Sequence, residues 1–236
     1  MTQEQPMAGR VLAIAWPVML SYVVVGLACG VLEGKVGMEP WMAFVLAATY
    51  LSGGGQFMMS NLWLAGVPMP SILASVAAIS ARFALYSASL APHLNKASRG
   101  LALGVSATLT EEAYGISLDK LVNDDTWSVA HALMLNVVLT LTWALSCAAG
   151  AAVGAAVDIP TTIAGFAMTS LFIYLLFSQT FTRGSVVAAL VAAVVIAICK
   201  YSGATSIAVP AAAVVGVLCA LVFEALAPAP REGGRR

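Results

Sequence analysis

Eight apolar stretches, near residues 11–32, 41–65, 70–91, 100–117, 127–152, 161–180, 184–200 and 207–227, succeed one another with only short connectors between them. A helix needs roughly 20 apolar residues to cross the hydrocarbon layer. Inside lipid the backbone must satisfy its own hydrogen bonds, so only helices or closed barrels can span, and these runs are far longer than the tilted strands of about ten residues that build barrels. The expected fold is therefore all-α: a polytopic membrane protein of about seven to eight transmembrane helices, with residues 1–236 forming a single integral membrane domain. Composition agrees, since 61% of the residues are hydrophobic and 9% charged, whereas soluble domains carry roughly a quarter charged residues.

Several functional classes are excluded. Eleven basic and eleven acidic side chains cancel, and no basic cluster is long enough to grip a phosphate backbone, so nucleic acid is not a partner. No glycine-rich phosphate loop ending in Lys-Ser or Lys-Thr occurs. Neither a Gly-x-Ser-x-Gly elbow nor a His-Glu-x-x-His pair is present, which argues against a hydrolase. Cys29, Cys147, Cys199 and Cys219 stand singly in apolar segments, without the paired spacing of a zinc site, and read as packing residues. No metal and no cofactor are expected. The first run is too long for a signal peptide and precedes several others, so it reads as an uncleaved span.

Lesser signals concern packing. Gly26 and Gly30 share one helical face, as do Gly150 and Gly154, the spacing that lets helix backbones approach closely. Trp41 and Trp127 open two runs and are expected at the headgroup level. With eight crossings and the N-terminus inside, Arg10, Lys120, Arg183, Arg231, Arg235 and Arg236 face the cytoplasm against Lys35, Lys96, Arg99 and Lys200 outside, a weak vote for that orientation. If residues 41–65 dip in and return, there are seven crossings and later loops swap sides.

Those residues also hold the first chemical signal. A good apolar helix from Trp41 to Leu51 meets Ser52, Gly53, Gly54, Gly55 and Gln56 before resuming at Phe57. Each glycine costs about 1 kcal/mol of helix propensity relative to alanine. The expectation is a discontinuous second helix, with its second half starting near Gln56; the other reading is an unbroken helix with a glycine-lined contact face. Half-helix ends within a membrane present free N–H groups to a carboxylate. Gln56 adds donors and an acceptor, and Phe57, Met58 and Met59 add adaptable apolar surface.

Charge inside hydrocarbon is the second signal, because each such side chain costs on the order of 2.5–3.5 kcal/mol on insertion scales. Arg82 lies near mid-span on a stripe with Ser75, Tyr86 and Ser89, and its planar fork suits a carboxylate. Either a glutamate or a substrate fills that role. Glu111 and Glu112 are adjacent, about 100° apart around a helix, so the two cannot meet Arg82 with equal geometry. Two acids facing one base leave a surplus negative charge that a substrate ammonium or a proton would neutralise. The alternative is that one glutamate sits at the aqueous end of its helix. Asn136 and Thr140 share a face and read as an interhelical contact; His93 and His131 lie near span ends without metal-ligand company.

The residues just described resemble the AzlC-like permease family, the large subunit of branched-chain amino acid exporters. The stretch Ser52 to Phe57 is similar to that family's Ala-Gly-x-x-Gln-Phe element. Arg82 to Pro92, reading RFALYSASLAP, resembles its Arg-x-x-Leu-Tyr-Ser-x-x-Leu-Ala-Pro element, and Thr110-Glu111-Glu112 resembles its Thr-Asp-Glu element. Phe166 to Gln179 is similar more loosely. Departures are Ser80 where members commonly have Asn, Phe83 for His, Glu111 for Asp and Gly165 for Asp. The resemblance implies export of leucine, isoleucine, valine and methionine from the bacterial cytoplasmic (inner) membrane, together with a small AzlD-like membrane subunit.

The expected function is thus a secondary, proton-coupled exporter of hydrophobic amino acids. Gly53, Gly54, Gly55, Gln56, Phe57, Met58, Arg82 and Tyr86 would bind substrate, and Glu111 and Glu112 would hold the ammonium or a proton. The competing reading is a structural or regulatory membrane subunit whose buried charges only hold helices together. A channel is a poor fit, since one arginine between two glutamates makes no selective ring.

Overall fold

The computed structural model describes residues 6–95, 97–157, 166, 169–170, 173, 177, 182–204 and 207–226. Those residues are all-α. In chain order the helices are α1 (Met7–Val36), α2 (Pro40–Thr49), α3 (Gly53–Leu64), α4 (Met69–Ser80), α5 (Arg82–Leu94), α6 (Arg99–Ala107), α7 (Glu111–Asn123), α8 (Val129–Ala156), α9 (Arg183–Tyr201) and α10 (Ala208–Leu226). Five segments are long and apolar enough to cross a bilayer: α1, α4 with α5, α8, α9 and α10. The chain is a polytopic membrane protein. The sixth apolar stretch, at 161–180, falls largely outside the described residues.

The core is a spine of α1 packed along α8, and the glycines explain its closeness. A Cβ on Gly30 would collide with the Cys147 carbonyl, and one on Gly150 with the Leu27 carbonyl; Gly26 faces Ser146 and Gly154 faces Val31. The two small-residue stripes therefore meet each other, each backbone lying where the other's side chain would be. At its far end α1 stops at Gly37, whose φ of 96° lies in the left-handed region that glycine adopts without a Cβ penalty. The Met38 N–H then returns to the Glu33 carbonyl at 3.0 Å, closing the helix end.

Three places depart from continuous helix, where the sequence suggested one. Between α2 and α3 the chain is extended at Tyr50 and Ser52. The glycines are not the unwound part: Gly53 already begins α3, so the second half starts three residues before Gln56. The run at 100–117 is likewise split, at Thr108–Thr110, into α6 and α7. At Ala81 the α4–α5 ladder tightens, with the Ala84 N–H reaching the Ala81 carbonyl at 3.2 Å. No glycine or proline marks either of the last two sites.

Two further expectations change. Glu33, placed in a connector by its charge, lies inside α1 and is 0% exposed. Trp127, expected at the headgroups, is 5% exposed and packs on His131 with ring centroids 4.9 Å apart. His131 in turn caps α8, its Nδ1 accepting from the Ser128 amide at 3.2 Å. Trp41, by contrast, is 60% exposed.

Candidate functional site

Both chain breaks open onto one cavity of about 650 Å³, within the usual range for small-ligand sites. Val18, Tyr22 and Val25 of α1 form one wall. Leu51, Ser52, Gly53 and Gly54 supply a second, Arg82 and Phe83 a third, and Thr110, Glu111 and Glu112 a fourth, with Thr140 and Trp143 of α8 closing the rear. The lining is mostly apolar with a few convergent polar groups.

Each break turns a helix start toward that cavity. Ser52 caps α3, its Oγ accepting from the Gly55 amide at 3.2 Å; Thr110 caps α7, its Oγ1 accepting from the Ala113 amide at 3.3 Å. Capping occupies one of the four amides that a helix start leaves without an internal acceptor. At α3 the adjacent Gly53 and Gly54 have no side chains to cover the backbone, and both line the cavity. Gly53 also allows the Trp143 ring to lie against it, where a Cβ would come within 2.9 Å of the indole.

Charge sits on the opposite side. The Arg82 guanidinium and the Glu111 carboxylate pair at 2.7 Å, each about a quarter exposed. The Arg82 Nε, buried, has no hydrogen-bond partner among the described residues. Glu112, next along α7, points elsewhere and accepts from the Tyr22 phenol. The 100° offset between consecutive residues thus assigns the two glutamates to different partners. Thr140 Oγ1 lies in the wall with no partner among the described residues.

Behind the wall a relay of side chains fixes the first break. Trp143 Nε1 donates to Gln56 Oε1 at 3.1 Å, Gln56 Nε2 donates to the Tyr50 carbonyl at 2.5 Å, and the Tyr50 hydroxyl meets Ser80 Oγ at 2.7 Å. Tyr22 stacks edge-on against Trp143, centroids 5.3 Å apart. Gln56 is 0% exposed, so its amide is used to satisfy a carbonyl freed by the break. Asn136 does the same at the second break, donating to the Val105 carbonyl at 2.9 Å and to Thr108 Oγ1 at 3.3 Å.

Of the residues singled out from sequence, Gly53, Gly54, Arg82, Glu111 and Glu112 meet around the cavity. Gly55, Gln56, Phe57 and Met58 are on α3 outside its lining, and Phe57 is buried in the α1–α8 core. Tyr86 stacks on Tyr114 at 4.5 Å and joins α5 to α7. Sequence reasoning passed over Tyr22 and Trp143, although a buried phenol or indole needs a polar partner and therefore signals one. It also took Cys29 and Cys147 as unrelated. They converge with Glu33, all three buried, their donor atoms within 4.8 Å of one another.

Interrupted helices around an internal cavity that combines an ion pair with apolar walls belong to a class, the polytopic helical membrane proteins. The chain belongs to the AzlC family: the profile of that family, described as AzlC protein, matches residues 17–157, more than half of the 236 residues. The matched region runs from α1 through α8 and so includes every wall described above. No curated protein and no solved structure matches the chain significantly.

Proposed function

We propose that this chain is a secondary transporter exporting branched-chain and related hydrophobic amino acids, with the cavity between the two breaks as its substrate site. The family is associated with branched-chain amino acid transport, and the observation that carries the rest is the Arg82–Glu111 pair in the cavity wall. A free amino acid is a zwitterion, so it can replace that pair by an exchange that conserves charge. Its carboxylate takes Arg82, whose fork favours bidentate contact, with the Gly53 and Gly54 amides at the positive end of α3 as further donors. Its ammonium takes Glu111. The aliphatic side chain then lies against Val18, Val25 and Phe83 rather than against Met58 or Phe57.

In this reading Glu112, held by Tyr22, carries the coupling proton. The α2–α3 pair is the discontinuous second of seven or eight membrane elements in a single domain. The setting is the bacterial inner membrane, and a small AzlD-like subunit accompanies the chain. Proteoliposomes loaded with labelled leucine, valine, methionine or alanine, with and without that subunit and under an imposed pH gradient, test these points together. Selective, gradient-dependent efflux that disappears in Arg82→Ala, with the variant still inserted at normal abundance, is the expected result. Unchanged efflux in that variant would reject the site, and flux by the small subunit alone would favour a purely structural role for this chain.

A further inference from the structure

Outside the cavity, four donor atoms from three helices meet at one point. Cys29 Sγ lies 3.7 Å from Glu33 Oε1 and 3.9 Å from Gln56 Oε1, and Cys147 Sγ lies 3.9 Å from the same Gln56 oxygen. A tetrahedral ion with bonds of about 2.3 Å to sulfur and 2.1 Å to oxygen separates a sulfur ligand from an oxygen ligand by about 3.6 Å. The observed spacings are within a few tenths of an ångström of that edge.

Ordinary packing leaves this grouping incompletely explained. Glu33 is 0% exposed, and its Oε2 has no hydrogen-bond partner among the described residues. A buried carboxyl oxygen without a partner carries its full desolvation penalty. Glu33 also stands in the last turn of α1, which ends at Val36, where the carbonyl ends of the helix favour a positive charge and disfavour a carboxylate. The glycine contact accounts for the convergence: Gly30 brings the Cys147 backbone against α1, which places the Cys147 sulfur beside Cys29.

We propose that Cys29, Glu33, Cys147 and Gln56 form a binding site for one thiophilic divalent cation of the zinc type. Two of the three acidic groups release their protons to solvent when the ion enters, so that the doubly charged cation is balanced and the buried site stays neutral. Gln56 contributes the second lone pair of its amide oxygen, the first accepting from the Trp143 indole, while its amide nitrogen holds the Tyr50 carbonyl, so the ion ties the α1–α8 spine to the first break. The site does not depend on the transport reading, because none of its four ligands lines the cavity.

The test uses the purified full-length protein in lipid nanodiscs, titrated with Co²⁺ as an optical probe and then with Zn²⁺. Wild type is expected to bind one equivalent of Co²⁺ with a thiolate-to-metal charge-transfer band and tetrahedral d–d bands, both removed by one equivalent of Zn²⁺. The Cys29→Ser/Cys147→Ser variant loses the band and Cys199→Ser/Cys219→Ser keeps it. Glu33→Leu weakens binding at least about tenfold, since even indirect supporting groups of a metal are worth about 10–100-fold. A folded wild type that shows no charge-transfer band overturns the proposal whether or not any variant folds. A band that survives in Cys29→Ser/Cys147→Ser, or vanishes in Cys199→Ser/Cys219→Ser, overturns it as well.

Discussion

The chain leaves the helix between Thr49 and Gly53 and again between Ala107 and Glu111, and the two breaks are built from the same parts. Each ends in a hydroxyl cap, Ser52 or Thr110, bonded to the amide three residues on. Each has a fully buried carboxamide, Gln56 or Asn136, tied to a carbonyl at the gap. They differ in the first helical turn after the cap: Gly53-Gly54-Gly55 in one, Glu111-Glu112-Ala113 in the other. The first helix start is left bare, so its amides and positive end face the cavity. The second is covered by two carboxylates that already neutralise it. The same backbone device thus leaves a bare positive helix start on one side and one faced by carboxylates on the other. Position 55 shows the steric side of the contrast. A Cβ there would run into the Tyr50 ring, whereas the corresponding Ala113 is accommodated in the core.

If the charged start is what receives the ammonium, Glu111→Gln should be the most damaging change at that break. Loss of a charged hydrogen bond costs about 1.5–3 kcal/mol, so efflux at limiting leucine should fall roughly tenfold to a hundredfold, read in the same proteoliposomes. Efflux within twofold of wild type would remove Glu111 from the site. The shared carboxamide device can be broken symmetrically. Gln56→Leu and Asn136→Leu each leave a carbonyl unsatisfied and should each lower stability by about 1–3 kcal/mol in thermal unfolding of the detergent-solubilised protein. If only one responds, the two breaks are not equivalent.

The caps are a milder test: Ser52→Ala and Thr110→Ala should each cost about 0.5–2 kcal/mol, measured in the same way. The smallest effect lies away from both breaks, where Arg10 reaches Asp124 at 3.3 Å and the Thr126 hydroxyl at 2.6 Å. Hydrogen bonds from the Thr126 hydroxyl, then its amide, with Arg10 and Lys120 nearby, hold the Asp124 carboxyl below the ordinary aspartate value. A depressed folded value means that the contribution is complete above a pH of about 3.9 and is lost as pH falls through the folded value. Asp124→Asn should therefore lower the melting temperature slightly at neutral pH and flatten the acid side, so that the two profiles converge as pH falls; equal acid slopes in both proteins would remove Asp124 from the acid response.

How much could be read from the residues depended on how local each signal is. Runs of apolar residues report burial in lipid without reference to any neighbour, so the helical membrane architecture was legible. Three adjacent glycines drew attention to the first break through their low helix propensity, yet they form the first turn of α3, and the extended residues are Tyr50 and Ser52 just before them. Thr108 to Thr110 carries no such penalty; its only trace is a threonine cap preceding two acids, the signature of a helix start rather than of a gap. The tightened turn at Ala81 has no local cause in sequence at all. For the site, Arg82, Glu111 and Glu112 were visible because charge in hydrocarbon is anomalous wherever it points. Gln56 was visible too, but its use depends on depth along the helix: Gly53 and Gly54 lie at the cavity, while Gln56, one turn further and near the face of Gly53, is covered by Trp143. Glu33 was misplaced because a charge after an apolar run mimics a connector, and only the packing of α8 against it makes that position interior.

The contact between α1 and α8 leaves no space for even a methyl group where Gly30 and Gly150 meet the facing backbones. Such a pair can turn as one body but cannot slide, since every sliding step drives a main chain into a main chain. Any reshaping that exposes the cavity first to one side and then to the other must consequently fall on the elements hinged to that body. One such element is the start of α7, which is held to α1 by the Tyr22–Glu112 bond and to α5 by the Arg82–Glu111 pair.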